Sequence, residues 1–543
     1  MDALTKRLTD LGLENIALFS VPLSVALVFF GLAKSRRRRT TKLNGPPSKS
    51  YMFGVGGELF SAPEVGVIYK NWAKQYGPVF SIPLIMGSKV VILCDPKAIA
   101  HHYSKDTFTY HQLPSLKIVN AMHFGHNLLT VEGETHKRQR RALSSAFSVA
   151  AIRNLTPVFY DSAYMVKAAW DSLFQNSSDD TVIIEVQQWM DRVSLDSIGT
   201  GGFSHDFGSL KGEISPIAEA FESFGAVKPS VPIMLAFLLS SVFPVLAKIP
   251  NKRHEALRKV STSVASIADD LLESARLESA TDKSIIGALI RSENASSRIR
   301  IWYGASKTPQ TTLTSLPAQN LLIGAGYETT AISLTWALIE LSRKPEIQAK
   351  LRDELAASSR EDPSYEQLTN GLPYLDAVAC ETLRLHPALP ETTRVAEEDD
   401  VIPLTSPIYN ADGELVDSIF IAKGTKVRVP IQCLNTAEIS WGDNSKDFSP
   451  ERWLEQGASK QRAAEIQGYR HLLSFADGPR TCLGRQFALT EFKAVLSVLI
   501  RNFSFEFPDG PTTKIESHRS VLVRPKVAGQ EGPKVPLIVR RVE

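Results

Sequence analysis

The 543-residue chain holds only four cysteines, Cys94, Cys380, Cys433 and Cys482, too sparse and too widely spaced for a disulfide-stapled fold or paired zinc motifs. A reducing compartment fits that count. Internal repeats at solenoid periods and long low-complexity tracts are absent, which excludes repeat arrays and disordered tails. No stretch completes Gly-x-Gly-x-x-Gly: Gly54-Val55-Gly56-Gly57, Gly199-Thr200-Gly201-Gly202 and Gly324-Ala325-Gly326 all stop short of it. No flavin or nicotinamide domain is therefore read, and electrons for any redox chemistry must come from another protein. Charge of one sign is also lacking. The formal net charge is +3, but residues 1–49 alone carry nine Lys/Arg against three acids, which leaves −3 for the body. A slightly acidic body excludes the electrostatic footprint of a nucleic-acid binder and moves the basic excess to the N-terminus. His123-x-x-His126 has no further ligands at zinc spacing and reads as loop chemistry near a pocket.

What is present reads as an ordinary globular chain, 43% hydrophobic and 22% charged, behind an apolar N-terminal segment. Ile16 to Ala33 runs 18 residues without a charge. As a helix it spans ~27 Å against a hydrocarbon core of ~30 Å. Lys34 and Arg36 to Arg39 follow at once, and such a cluster stays cytosolic, unlike the small-residue cleavage site of a signal peptide. The reading is one N-terminal transmembrane helix in a 1–44 anchor with a basic stop-transfer cluster, a stiff Asn44-Gly45-Pro46-Pro47 connector, and a single large domain over 45–543 facing the cytosol. A second apolar stretch, Val231 to Ala247, carries Pro232 and Pro244 and is expected to be a buried or membrane-dipping surface segment.

Within the body, β-branched runs at Val79 to Ile82, at Lys89 to Leu93, and between Arg394 and Ile431 predict short strands. Ile419 to Pro430, around Lys423-Gly424, predicts a hairpin. Helical periodicity covers Val158 to Phe174, His254 to Ala280, Leu313 to Ser342, Pro345 to Ala357, Tyr374 to Leu385 and Cys482 to Arg501. The expected fold class is mainly α with small β-sheets.

The strongest chemical signal is Phe475-Ala-Asp-Gly478-Pro-Arg480-Thr-Cys482-Leu-Gly484. Its glycines allow a sharp turn and close approach to a flat ligand, and Cys482 is expected at the start of the helix that runs to Arg501. There the helix N-terminus would lower the thiol pKa, as a metal-binding thiolate requires. Arg480 could pair with a carboxylate on the same ligand. Cys94, Cys380 and Cys433 read as inert core residues.

These residues match the heme-binding signature Phe-x-x-Gly-x-Arg-x-Cys-x-Gly, and the chain resembles the cytochrome P450 family from about Gly45 to Pro508, with an anchor of the microsomal type. Further motifs stand in the family's order. Gly324-Ala-Gly-Tyr-Glu328-Thr329-Thr330, inside an apolar helix, resembles the oxygen-activation motif; two glycines there cost ~1 kcal/mol each unless packing or a ligand needs the room. Glu381-Thr-Leu-Arg384 resembles the Glu-x-x-Arg helix, and Phe448-Ser-Pro-Glu-Arg452-Trp453 the Pro-Glu-Arg turn. Residues 133–148, GETHKRQRRALSSAFS, resemble the helix that clamps a heme propionate, with His136 and Arg140 in the places of its Trp-x-x-x-Arg pair. His136 departs from the pattern and could titrate near neutral pH.

The resemblance implies heme b (iron protoporphyrin IX) with Cys482 as axial iron ligand. Phe475, Gly478 and Gly484 would shape the loop, while Arg480, Arg140, His136 and, more weakly, Arg394 would bind the cofactor's propionates. Glu381, Arg384 and Arg452 would form a charge network behind it. Thr329 would hydrogen-bond bound dioxygen, and Glu328 would relay protons. The implied activity is insertion of one oxygen atom from O2 into a lipophilic substrate, a terpenoid or other specialised metabolite. Electrons would come from an NADPH-dependent cytochrome P450 reductase, with cytochrome b5 as a second donor, at the endoplasmic reticulum membrane. Lys137, Arg138 and Arg141 would form a solvated basic face suited to an acidic redox partner. A heme-thiolate isomerase or dehydratase, and a non-enzymatic heme-binding membrane protein, are the alternatives.

Overall fold

The β-branched runs early in the chain fold as read, because each presents apolar side chains that a sheet can bury. The computed structural model describes residues 39–213 and 317–542, with short breaks at 63, 177–179, 359–360, 455–464 and 520–521. Between 214 and 316 it describes only short stretches, chiefly within 243–259. The expected anchor at 16–33, most of 231–247 and the expected helix beyond 259 lie outside the described residues. Among the described residues no helix is long and apolar enough to cross a membrane.

Strands β1 (Val79–Pro83), β2 (Lys89–Leu93), β3 (Tyr110–Gln112), β5 (Thr392–Ala396) and β8 (Lys426–Val429) form one sheet in the order β1-β2-β8-β5-β3. Only β2 and β8 run parallel. A three-stranded sheet joins β4 (Thr181–Glu185), β12 (Pro536–Arg541) and β9 (Phe503–Glu506), and two hairpins pair β6 (Asp400–Tyr409) with β7 (Leu415–Ile421) and β10 (Ile515–Arg519) with β11 (Val523–Val527). The hairpin read at Ile419 to Pro430 is not formed. The turn is present, with Gly424 at φ +85°, but β7 before it pairs with β6 and β8 after it pairs with β2 and β5. Gly424 N–H donates to Ala396 O at 2.7 Å, which draws the outgoing strand onto β5. Alternation marks a strand's faces but not its partner.

The helices that matter for the site are α1 (Pro96–Ser104), α2 (Gly133–Ser144), α3 (Val149–Gln175), α4 (Val186–Phe203), α5 (Pro317–Arg343), α6 (Pro345–Ser358), α7 (Pro373–Leu385) and α8 (Arg485–Asn502). Asp95 caps α1 by accepting from Ala98 N–H at 2.9 Å, with Pro96 at the first turn, where its missing N–H costs nothing. Phe159, Trp170, Leu334, Leu338, Val495 and Leu499 belong to the largest buried cluster, which α3, α4, α5 and α8 share.

Two glycine runs set aside as nucleotide loops are packing devices. A Cβ on Gly199 would lie 2.5 Å from the Phe207 ring. One on Gly326 would lie 2.8 Å from Ile198 Cγ1, so that glycine of the oxygen-activation-like motif is where α5 crosses α4. The close-packing explanation therefore accounts for Gly326.

Candidate active site

The loop before α8 folds back on itself around Cys482. Gly478 sits at φ +66°, and a Cβ there would meet Tyr103 O at 2.2 Å, so only glycine fits. Cys482 N–H donates to Phe475 O at 2.8 Å and Thr481 Oγ1 to Gly478 O at 2.7 Å, closing the loop on itself. Phe475 packs edge-on to Tyr469 with ring centroids 5.8 Å apart. Gly484 keeps an ordinary φ of −86° and has the Phe147 ring 3.8 Å from its Cβ position.

Cys482 does not begin the helix, as expected from sequence; α8 starts at Arg485, three positions later. The expected lowering of its thiol pKa is also corrected. Burial among protein atoms pushes it up, outweighing the Gly484 amide and the charges of Arg140 and Arg485. The same side chain is nonetheless solvent-accessible. A sulfur that protein atoms crowd on one side and solvent reaches on the other fits the wall of a cleft. Helix α5 shows the same feature: Ala325 is exposed although Tyr327, Glu328 and Ala331 around it are buried. One turn on, Thr329 donates its hydroxyl to Ala325 O at 2.7 Å.

Cations surround the loop unevenly. Arg480 donates to Leu128 O at 3.0 Å and Val131 O at 2.6 Å and pairs with Glu132; its Nε, 3.6 Å from Asp106, has no hydrogen-bond partner. Arg394 pairs with Asp106 through two bonds of 3.0 and 3.1 Å. Arg140, partly buried on α2, has no carboxylate partner among the described residues; burial lowers its pKa, and the Cys482 thiolate opposes that. His136, one turn earlier, is 2% exposed. Burial, with Arg480 and Arg140 beside it, lowers its pKa to about 4, so it is neutral near pH 7 and does not titrate there as the sequence suggested.

Glu381, Arg384 and Arg452 come together away from solvent. Arg384 is fully buried, donates Nε and Nη2 to Glu381 at 2.8 Å each, and reaches the Asn435 and Ser445 carbonyls at 3.0 and 2.6 Å. Arg452 Nε reaches Glu381 at 2.8 Å. Asn435 Nδ2 donates to Ser474 Oγ at 2.9 Å, and Ser474 Oγ to Leu383 O at 2.6 Å, so the network holds the strand of chain leading into Phe475.

The Glu328 carboxylate is held by an arginine far away in sequence. It is 2% exposed and pairs with Arg524 at 3.2 Å, which also pairs with Asp191 at 2.7 Å. Sequence reasoning missed Asp191, Arg524, Asp106 and Asn435, and no local pattern marks them. Glu132 and Ser474 adjoin quoted motifs, and Trp453, which ends one, donates its indole N–H to Glu381 at 2.9 Å. The His123 side chain lies outside the described part of the structure, and His126 belongs to no metal-ligand cluster among the described residues.

The donor set suits a heme: a solvent-accessible thiol crowded by protein atoms, an arginine near it with no carboxylate partner among the described residues, and an arginine nitrogen left without an acceptor. The sequence model of cytochrome P450 matches residues 45–530. The chain belongs to the cytochrome P450 family. It is similar to the cytochrome P450 monooxygenase claQ of Ampulloclitocybe clavipes, 54% identical over 517 residues, 94% of each chain. From the same organism, the cytochrome P450 monooxygenase claU is 52% identical over 526 residues, 95% of this chain and 96% of that one. The cytochrome P450 monooxygenase 205 of Postia placenta is 31% identical over 520 residues, 91% of this chain and 92% of that one. This P450 is a heme-dependent monooxygenase with heme b as its cofactor.

Proposed function

We propose that this P450 is a membrane-anchored enzyme that inserts one oxygen atom from O2 into a lipophilic small molecule, a terpenoid or other specialised metabolite. The observation that carries the cofactor assignment is Cys482, accessible yet crowded by protein atoms, with Arg140 near it and no carboxylate partner for that arginine among the described residues. Bound heme supplies reductive activation of O2, with one oxygen atom passing to substrate and the other leaving as water. Cys482 would ligate its iron. Arg140 would answer a propionate, Arg480 and Arg394 would add charge through their acid-paired clusters, and neutral His136 could donate one ring N–H. The Thr329 hydroxyl would orient the bound gas, and Glu328 would hold the proton consumed there.

The uncharged 16–33 segment and the basic cluster after it support a single-pass anchor in the endoplasmic reticulum membrane with the catalytic domain toward the cytosol. The chain carries no completed dinucleotide fingerprint, which supports an NADPH-dependent cytochrome P450 reductase as electron donor, with cytochrome b5 as a second one. An apolar substrate that partitions into the bilayer fits that setting.

The decisive measurement is the absorption spectrum of the reduced, carbon monoxide-bound protein. A thiolate-type Soret band in the parent that is lost in Cys482→Ser supports the assignment; a histidine-type band in the parent refutes it. Incubating the reconstituted enzyme with a lipophilic metabolite extract, with and without reductant, then identifies the oxidised product.

A further inference from the structure

Glu328 is held by elements far from it in sequence. The β10–β11 hairpin presents Arg524 and the Leu522 backbone N–H to its carboxylate, and α4 presents Asp191 to the other side of the same guanidinium. Arg524 Nη2 also lies 3.4 Å from the Tyr327 hydroxyl, and Gln187 Nε2 donates to Asp191 at 3.3 Å. Among the described residues no other cation pairs with either carboxylate. Two acids thus share one cation, and the side chains of Glu328 and Arg524 are 2% and 7% exposed, whereas that of Asp191 is 19% exposed.

A buried and a partly buried carboxylate beside a single guanidinium carry one uncompensated negative charge if both ionise, so taking up one proton is the cheaper state. Burial raises the pKa of both Glu328 and Asp191, against the pull of Arg524. Tyr327 stays a neutral hydroxyl because burial drives its pKa up. Burial lowers the pKa of His518, opposite Arg524 in the hairpin, with Lys526 and Arg524 adding to the effect.

We propose that Asp191 and Arg524 are positioning residues for Glu328: they divide one guanidinium between two carboxylates and so set whether Glu328 holds a proton. Whichever acid Arg524 favours is held ionised, and the other carries the hydrogen. The shorter bond, 2.7 Å to Asp191 against 3.2 Å to Glu328, leaves Glu328 as the protonated partner. Loss of that proton toward the oxygen site draws Arg524 to Glu328, and solvent at the more exposed Asp191 supplies a replacement. This inference rests on the reading of Glu328 as proton donor.

The test uses the full-length holoenzyme. Asp191→Asn hands the whole guanidinium to Glu328, and Arg524→Gln removes it. The infrared carboxylic-acid band that Glu328→Gln abolishes is expected to weaken at neutral pH in the first variant and to strengthen in the second, without turnover. The pH midpoint for product formed per NADPH is expected to move down in Asp191→Asn and up in Arg524→Gln, each by about one unit, a tenfold change in proton affinity. Arg524→Lys, which keeps the cation, should restore the parent midpoint. A merely structural pair would lower stability in every variant and shift no midpoint in opposite directions, which would overturn the inference. Full coupling in Glu328→Gln would instead remove the proton-donor reading itself.

Discussion

Replacing Glu381 with Gln keeps its shape and removes its charge, which isolates the electrostatics of the buried network. The two carboxylate oxygens accept five donors: Nε and Nη2 of Arg384, Nε of Arg452, Ser449 N–H and the Trp453 indole. An amide offers one oxygen and one NH2. Whichever way it is turned, the NH2 faces at least two donors, because Oε2 accepts from two and Oε1 from three. Arg384, with no exposed surface, is then left without an anion. Removing one partner of a buried pair costs about 3–5 kcal/mol, a large part of a total stability of roughly 5–15 kcal/mol. Unfolding entropy near 2.1 cal/mol/K per residue gives about 1 kcal/mol/K for a chain of this size, so the melting temperature should fall by roughly 3–5 °C. The assay is thermal unfolding of the holoprotein at a fixed scan rate, with the thiolate-type Soret band followed in parallel. A fall below about 1 °C with full heme retention would refute the account of a strongly coupled buried network.

Arg140→Gln should leave the fold intact, since no carboxylate among the described residues loses a partner, yet speed the loss of heme to an excess of apomyoglobin; an unchanged transfer rate would release Arg140 from the cofactor. A pH dependence follows from His102 and His136, both buried and both with pKa lowered from 6.5 to about 4, chiefly by burial. The unfolded chain binds these protons first, so the stability from keeping each ring neutral is present above pH ~6.5 and is lost as pH falls toward ~4. Each group contributes at most ~3 kcal/mol over that window. His102→Gln should reduce the slope of stability against pH by one proton, read from denaturation midpoints between pH 4 and 7, and an unchanged slope would show that His102 is protonated in the folded state.

The motifs were legible because each encodes a local requirement. Gly478 marks a backbone position where a side chain would strike Tyr103 O, and Glu381 with Arg384 mark one helix face. The helix start after Cys482 was misplaced because the periodicity of α8 continues backward into a loop whose hydrogen bonds run to Phe475 and Gly478. The direction of the thiol shift was misjudged for a related reason. It depends on how many protein atoms crowd the sulfur, and those come from distant elements.

By itself the sequence determined the chemistry on offer: which loop carries a cysteine between glycines, which helix carries an acid beside an alcohol, and which segment runs 18 residues without a charge. Those follow from residue type and near-neighbour spacing. Only the tertiary structure decided how charges are shared. It paired Arg394 with Asp106 and Arg480 with Glu132, left Arg140 without a carboxylate among the described residues, and divided Arg524 between Glu328 and Asp191. Electrostatic pairing falls off with distance in space and is indifferent to distance along the chain, so no local pattern could have carried it.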